Sequence, residues 1–167
     1  NLVVSDNKDK TITGVIGENF SFKYEENRTG QKPTWASLEI DQFLHYDIES
    51  IISKEIDSKL FIEVKTTFNN QFYISRKEIT YLEKQKFFNL HIWILNNEGS
   101  NKLIILDSFE DMQECIREYE YQEIPNPLIK IKLDKNLYFN GKKISSYKVI
   151  DNFNFDEELK ETIKKFK

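Results

Sequence analysis

The chain has 167 residues, of which 39% are hydrophobic, 31% are charged and 14% are aromatic. That length suits one domain, and the composition is typical of a globular protein rather than a disordered one. No apolar run approaches the ~20 residues of a membrane span, and no signal-peptide pattern opens the chain, so we expect a cytoplasmic protein without a membrane segment. The formal net charge of −4 is unusual for a nucleic-acid-binding protein, because such proteins are generally basic.

The composition also limits the metals that the chain could bind. Cys115 is the one cysteine, and His45 and His91 are the two histidines. These counts exclude a cysteine-rich zinc site and disfavour a histidine site. Oxygen ligands would have to dominate, and they favour Mg²⁺ or Mn²⁺ over zinc. The first residue is Asn1 rather than Met, so we expect a chain that has been processed, trimmed or cut from a longer protein.

The first predicted elements are a helix and three strands. Apolar side chains recur at helical spacing within residues 10–27, and this helix is expected to end before Gly30. Residues 35–43 are predicted to be extended. Alternating apolar residues then predict a meander of three strands, at residues 46–52, 59–67 and 71–75.

A second helix and further strands follow. Ser75 is expected to begin the helix, because Ser75 and Glu78 stand at the spacing of a capping box. Residues 90–95 form an apolar run that is typical of a buried central strand. The remaining predictions are a strand at 102–107, a helix at 109–119, a strand at 128–134, a hairpin at Asn140-Gly141 and a helix at 156–167. This order predicts an α/β fold of three layers, in which helices flank a mixed central sheet.

Three charged side chains are predicted to converge at one end of the hairpin formed by the first two strands. If its turn centres near residues 55–57, Asp47 lies opposite Lys65 and diagonal to Glu63. Glu63 and Lys65 are two positions apart on one strand and therefore share a face. Neighbouring carboxylates repel each other and are partly desolvated there, a penalty that a bound divalent cation would remove.

This convergence predicts a catalytic metal site. Asp47, Glu63 and the backbone carbonyl of Val64 would be ligands of an octahedral Mg²⁺ or Mn²⁺. Lys65 would orient the attacking water or stabilise charge that develops on phosphorus. The alternative is a surface hairpin in which Asp47 pairs with Lys65 and Glu63 is exposed, since these residue types at this spacing occur in many proteins.

Three motifs follow one another in this part of the chain. They are an aromatic-Asp-Ile-x-Ser segment, an Ile-Glu-Val-Lys-x-Thr strand and a Phe-x-Ile-Ser-x-x-Glu segment, at residues 46–50, 62–67 and 72–78. Gly17-Glu18 and Trp35-Ala36-Ser37 precede them. Over about residues 14–96, this order resembles the PD-(D/E)xK nuclease superfamily. More narrowly, it resembles the domains related to the C-terminal domain of the plant protein NO VEIN.

The resemblance implies a restriction-endonuclease-like core with the element order αβββαβ. That core would cover about residues 10–107 of a single domain, residues 1–167, and additional strands and a helix would form a C-terminal extension at about residues 108–167.

The resemblance also assigns roles to individual residues. Asp47 and Glu63 would be the metal ligands, and Lys65 would be the catalytic lysine. Glu18 would be a further catalytic carboxylate near the metal, although an exposed helix acid is an equal alternative. Glu78 would lie near the substrate, although its capping role explains it as well.

The implied activity is Mg²⁺- or Mn²⁺-dependent endonucleolytic cleavage of DNA, in restriction or antiviral defence. A helicase or ATPase partner and a homodimer would suit that role. Lys84 and Lys86 are candidates for a basic rim that binds the substrate, although a solvated charged face also accounts for them. Cleavage of RNA, and of ends rather than interiors, stays open. A non-cleaving nucleic-acid-binding or regulatory module is the main alternative, and a protein-interaction domain is another; Trp93 is expected in the core.

Overall fold

The computed structural model describes residues 2–40, 44–95, 101–110, 128–134, 138–143 and 148–151. The helices in these ranges are α1 (Leu2–Thr29), α2 (Ala36–Glu39) and α3 (Arg76–Glu83). The strands are β1 (Thr34–Trp35), β2 (Ile48–Ile51), β3 (Lys59–Thr67), β4 (Gln71–Ser75), β5 (Phe88–Ile94), β6 (Lys102–Leu106), β7 (Leu128–Lys132), β8 (Tyr138–Phe139), β9 (Lys142–Lys143) and β10 (Lys148–Asp151).

A mixed sheet of six strands forms the centre of the fold, in the order β1-β2-β3-β5-β6-β10. β3 and β5 run parallel, and the other neighbouring strands run antiparallel. Parallel neighbours need a long crossover, which β4 and α3 provide here. The predicted α/β class, with helices flanking a mixed central sheet, is confirmed.

Helix α1 covers one face of this sheet. Ile16 and Phe20 of α1 pack in a buried cluster with Val64 and Trp93. The rings of Phe20 and Trp93 meet edge to face at 5.3 Å between centroids, and Trp93 Nε1 donates a hydrogen bond to Ser21 Oγ at 2.7 Å. Trp93 is fully buried, so its predicted core position is confirmed. Each of these large side chains stabilises the fold by about 1.5–3 kcal/mol through burial.

The opposite face packs against α3 and a second, two-stranded sheet of β4 and β7. Leu90 and Ile92 of β5 point to this side, because successive residues of a strand alternate between faces. They meet Ile74 of β4 and Ile79 and Leu82 of α3 in one buried cluster. The molecule therefore has three layers, as predicted.

The first helix ends as predicted but begins earlier. Gly30, directly after α1, has a φ of 72°, which suits glycine at a helix terminus. At the other end, α1 begins at Leu2 rather than near residue 10. Residues 1–9 have one short apolar run, at 2–4, and no apolar side chains at helical spacing, so the pattern could not indicate that a helix continues through them.

Residues 35–43 are not the extended segment that the sequence predicted. The strand β1 covers only Thr34–Trp35, and α2 follows at once; residues 41–43 lie outside the described part of the chain. The turn forms because Ile40 N donates to Ala36 O at 3.0 Å, and Glu39 Oε2 accepts a hydrogen bond from Trp35 N at 2.6 Å. This local side-chain bond replaces the ladder that an extended strand would need.

The predicted meander of three strands is wrong in its third strand. Both edges of β3 are already paired, with β2 on one side and with β5 on the other. β4 therefore leaves the main sheet and pairs antiparallel with β7, where Phe72 lies opposite Ile131 and Ile74 opposite Ile129. All four of these side chains are buried.

The predicted register of the β2–β3 hairpin is also wrong. Ile48 lies opposite Ile62, and Ile51 lies opposite Lys59, so the pairing is shifted by two residues and does not place Asp47 opposite Lys65. A shift by an even number leaves every side chain on its predicted face. Glu63 and Lys65 therefore keep the face that the sequence predicted.

The C-terminal part contains both confirmed and missed elements. β7 and the β8–β9 hairpin are confirmed, and Asn140 and Gly141 have φ values of 49° and 78° in the turn, as a tight hairpin requires. β10 pairs with β6 and was not predicted. The helix predicted at residues 109–119 lies outside the described residues beyond position 110, and the one at 156–167 lies wholly outside them. Among the described helices, none combines the length and apolar character needed to cross a membrane.

Candidate functional site

Asp47, Glu63 and Lys65 lie together on and beside β3, the strand in the middle of the main sheet. Glu63 is 5% exposed, and its Oε1 atom lies 3.2 Å from Lys65 Nζ. Asp47 directly precedes β2, and its Oδ2 atom accepts a hydrogen bond from Val64 N at 2.8 Å. The carboxylate of Asp47 is thus fixed to the backbone between the two charged residues of β3. The alternative of a surface hairpin with an exposed Glu63 is therefore wrong, because Glu63 is buried.

Glu78 joins this group from the start of α3. Its backbone N donates to Ser75 Oγ at 3.1 Å, and its Oε1 atom accepts from Ser75 N at 2.8 Å. The predicted capping box is therefore present. Lys65 Nζ also donates to the Glu78 carboxylate, at 2.9 Å from Oε2. Glu78 thus stabilises the helix terminus and holds the lysine ammonium at the same time.

Glu18 reaches the group from α1 on the other side of the sheet. It is half-buried and accepts hydrogen bonds from Ser37 Oγ at 3.2 Å and Trp35 Nε1 at 3.4 Å. The carboxyl group of Asp47 is near enough to raise the pKa of Glu18. The alternative of a merely exposed helix acid is therefore wrong.

Gly17 permits this approach of α1 to β3. A Cβ atom at position 17 would lie 1.7 Å from Thr66 Oγ1, which no real contact allows. With hydrogen in place of that carbon, the helix packs directly on the strand. Glu18, the next residue, is thereby brought within reach of Asp47.

Burial, and then the crowding of acidic groups, raises the pKa of two of the carboxyl groups. Burial, together with the hydrogen bond and the charge of Asp47, raises the pKa of Glu18 to about 8. Burial and the Asp47 charge also hold the pKa of Glu63 well above its ordinary value, although Lys65 opposes the shift. The site therefore holds more acidic groups than its lysine neutralises.

Lys65 and Glu78 keep their charges. Burial alone would lower the pKa of Lys65, but Glu63 and Glu78 outweigh it and raise that pKa above its ordinary value. Burial would raise the pKa of Glu78, yet hydrogen bonds from Glu63 and Lys65 lower it to about 2. Lys65 and Glu78 therefore form an ion pair, with 2.9 Å between Nζ and Oε2.

The donor atoms of this group fit a hard divalent cation by their chemistry. Asp47 and Glu63, with the carbonyl of Val64, are oxygen donors of the kind that Mg²⁺ and Mn²⁺ take, and the surplus of acid would be neutralised by such an ion. In the part of the chain that the structure describes, no three His, Cys, Asp or Glu side chains are grouped as metal ligands. The donor types are thus in place, without a formed cage of three side chains.

The family model of the C-terminal domain of protein NO VEIN matches residues 17–105. The chain belongs to this family. The match begins at Gly17 and extends into β6, so it contains all the charged residues described above. No curated protein matches the chain, and no solved structure does either.

The group around Lys65 does not include Lys84 and Lys86, which were predicted to bind the substrate. Both are exposed and follow α3. Lys86 Nζ lies 5.2 Å from the centre of the Phe87 ring and lines a separate cavity of about 570 Å³ with Arg28. That cavity adjoins the beginning of β5, whereas Lys65 lies further along the parallel pair, opposite Ile92.

Two features near the group were missed by the sequence analysis. Ser37 and Trp35 donate to Glu18, a role that their place in a motif suggested without naming it. A groove of about 600 Å³ lies beside Lys65 and is lined by the aromatic residues Phe68 and Tyr73. Their sequence signal was weak, because Phe68 falls in a predicted turn and Tyr73 alternates with the buried residues of its strand.

Proposed function

We propose that this domain is a metal-dependent nuclease of the PD-(D/E)xK type, an endonuclease that hydrolyses phosphodiester bonds in DNA. The observation that carries the proposal is the position of Lys65, whose ammonium lies 3.2 Å from the buried Glu63 carboxylate. The element order α1-β2-β3-β4-α3-β5 supports a restriction-endonuclease-like core. We propose that the domain acts in restriction or antiviral defence in the cytoplasm. It would work there as a homodimer and with a helicase or ATPase partner.

The residues of the site would divide the chemistry between them. Asp47 and Glu63, with the Val64 carbonyl, would hold Mg²⁺ or Mn²⁺, which when bound supplies positive charge and lowers the pKa of an attacking water. Lys65 has a raised pKa, so it keeps its proton and cannot act as a base. It would instead stabilise the negative charge that develops on the scissile phosphate.

Glu78 and Glu18 would act through these residues. Glu78 holds the Lys65 ammonium at 2.9 Å, which fixes its position relative to the phosphate. The pKa of Glu18 is raised to about 8 beside Asp47, so its carboxyl group would release its proton when a divalent cation binds and would then strengthen the attraction of the site for that ion. We therefore assign Glu18 and Glu78 as positioning residues, and Asp47, Glu63 and Lys65 as the catalytic ones.

A non-cleaving nucleic-acid-binding or regulatory module is the second candidate. It is favoured by the involvement of Lys65 in the ion pair with Glu78, whose carboxylate is in turn fixed in the capping box. In this alternative, the ion pair would hold α3 against the sheet, and the site would carry no reaction.

The test is cleavage of supercoiled plasmid and short linear DNA with Mg²⁺, Mn²⁺ or EDTA. We expect cutting only with a metal, and a fall of about 10²- to 10³-fold in rate for Lys65→Ala. Lys84→Ala, which changes an exposed lysine outside the group, is the matched control and should cut like the wild type. In calorimetric titration, Lys65→Ala should still bind Mn²⁺, whereas Glu63→Ala should not.

Two results would overturn the assignment. Cleavage by Lys65→Ala at the wild-type rate would show that Lys65 has no role in the reaction. Absence of cutting on every DNA and RNA substrate, by a folded protein, would favour the non-cleaving module.

A further inference from the structure

We infer that the outer face of the β4–β7 sheet, together with the groove beside Lys65, binds an unpaired nucleic-acid strand. The inference rests on the proposed function, because it names the form of strand that would be presented to Lys65. It adds a surface outside the group of Asp47, Glu63, Lys65 and Glu78, and that surface can be tested without cleavage.

The inner face of the β4–β7 sheet is committed to the core. Phe72 and Ile74 of β4 are buried, as are Ile129 and Ile131 of β7. They pack in the cluster that lies against the main sheet. Because side chains alternate along each strand, the residues between them project from the opposite, outer face.

The outer face carries an aromatic ring between positive charges. Tyr73 of β4 lies directly opposite Lys130 of β7, and Gln71 lies opposite Lys132. Side chains that face each other across an antiparallel pair have Cβ atoms about 5 Å apart. Tyr73 is 44% exposed, and Lys132 is also exposed. This surface therefore offers a ring, an amide and two ammonium groups in one patch.

The patch continues into the groove beside the candidate active site. Gln71 and Tyr73 line that groove together with Lys65, Thr66 and Phe68. Phe68, in the turn after β3, is 44% exposed. A strand lying on the outer face would thus pass two exposed aromatic rings on its way to Lys65.

The chemistry of the patch fits an unpaired strand better than a duplex. Lysines neutralise phosphates, and exposed aromatic rings stack on the faces of bases, which are accessible only when the bases are not paired and stacked in a helix. The whole chain has a net charge of −4 and therefore does not attract a polyanion generally. The lysines of β7 would instead determine where on the surface the strand lies.

The first experiment measures binding in EDTA, so that no substrate is cut. Fluorescence anisotropy of the full chain is followed with short labelled oligo(dT), oligo(rU) and a DNA duplex of equal length. We expect oligo(dT) or oligo(rU) to bind more tightly than the duplex, and the tighter of the two identifies the natural type of strand. Tyr73→Ala should weaken this binding about tenfold, while Tyr73→Phe, which keeps the ring, should bind like the wild type.

The lysines are tested by salt dependence. Replacing Lys130 and Lys132 together by Gln should reduce the slope of log Kd against log salt concentration by about 1.4, because two phosphate contacts to a single strand are lost. Lys148→Gln is the matched control, since Lys148 is an exposed lysine on β10, at the far edge of the main sheet. Its slope should equal that of the wild type.

The outcomes separate this inference from the proposed function. If the wild type cuts DNA but Tyr73→Ala and the double lysine variant bind every strand normally, or if the duplex binds best, the inference is overturned and the nuclease stands. If strand binding depends on Tyr73 and the lysines but nothing is cut, the binding surface stands and the nuclease falls.

Discussion

Glu25 and Glu63 are both buried acids of this domain, but their surroundings differ. Glu25, on α1, is fully buried. It receives hydrogen bonds from Arg28 Nε at 3.0 Å and from Ser50 Oγ at 2.7 Å. Arg28 is itself fixed by bonds to the carbonyls of Ile51 and Ile52. The charge of Glu25 is therefore matched within the fold by a cation dedicated to it.

Glu63 has no such dedicated partner. Lys65, 3.2 Å away, is shared with Glu78, and the nearby charge of Asp47 raises the pKa of Glu63 further after burial has done so. A carboxylate that serves only the fold is neutralised like Glu25. A surplus of buried acid around one lysine is instead typical of a functional site. The comparison between these two glutamates can be tested by three variants.

The largest change in the free energy of unfolding is expected when Glu25 loses the Arg28 guanidinium. Arg28→Ala leaves a buried carboxylate unpaired and should lower the free energy of unfolding by about 3–5 kcal/mol, as measured by urea denaturation. Lys59→Ala is the control, because Lys59 pairs with Glu49 at 2.9 Å while its own side chain is 68% exposed. An exposed pair contributes about 0–1 kcal/mol. Equal losses in the two variants would contradict the structural role assigned to the Glu25–Arg28 pair.

The second effect concerns His91, whose Nε2 atom lies 3.9 Å from Glu25 Oε1. Burial and then the charge of Arg28 lower the pKa of His91 from 6.5 to about 3. Between those values the unfolded chain binds the proton and the folded chain does not, so the folded state loses stability as the pH falls below about 6.5. The free energy of unfolding should drop by about 2 kcal/mol from pH 7 to pH 5 on this account.

His91→Gln isolates that contribution from those of other titrating groups. Glutamine does not titrate and can still accept a hydrogen bond from Ser21 Oγ, which lies 2.9 Å from His91 Nδ1. The difference in unfolding free energy between wild type and variant should therefore change by about 2 kcal/mol between pH 7 and pH 5. A difference independent of pH would show that the pKa of His91 is the same in the folded and the unfolded chain.

The smallest change in the free energy of unfolding is expected for a variant of Glu18. This change is a gain in stability, whereas Arg28→Ala causes a loss. The pKa of Glu18 is raised from 4.5 to about 8, so the folded state binds the proton more tightly and loses stability as the pH rises through this interval. Glu18→Gln removes that loss. In EDTA, the variant should gain about 1 kcal/mol over the wild type between pH 6 and pH 8, allowing for partial solvent exposure, while DNA cleavage with Mg²⁺ falls. A variant less stable than the wild type at pH 8 would assign Glu18 to the fold.

The parts of the fold that the sequence predicted are those with local signals. The apolar run of β5 and the capping box of Ser75 and Glu78 depend on neighbouring residues, and both are confirmed. The departure of β4 from the main sheet depends instead on β5, which takes the edge of β3 from a distant part of the chain. No pattern within residues 59–75 could indicate that.

In the candidate site, too, the local features were predicted and those that depend on distant residues were not. Glu63 and Lys65 share a face because of strand geometry, and they meet as predicted. The register of Asp47 was wrong, since it depends on the length of the turn, where Ile52 N donates to Ser58 O at 3.0 Å. Lys86 was misplaced because α3 returns the chain to the other end of the sheet, beyond the reach of Lys65.

Gly17 also bears on how relatives of this domain could be recognised. The absence of one carbon atom lets α1 lie against Thr66 and thereby sets the distance from Glu18 to Asp47. A chain with the acid but with alanine before it would carry the same charge further from the sheet. A search for distant relatives should therefore require the dipeptide as a single feature, because the acid alone does not specify where its charge lies.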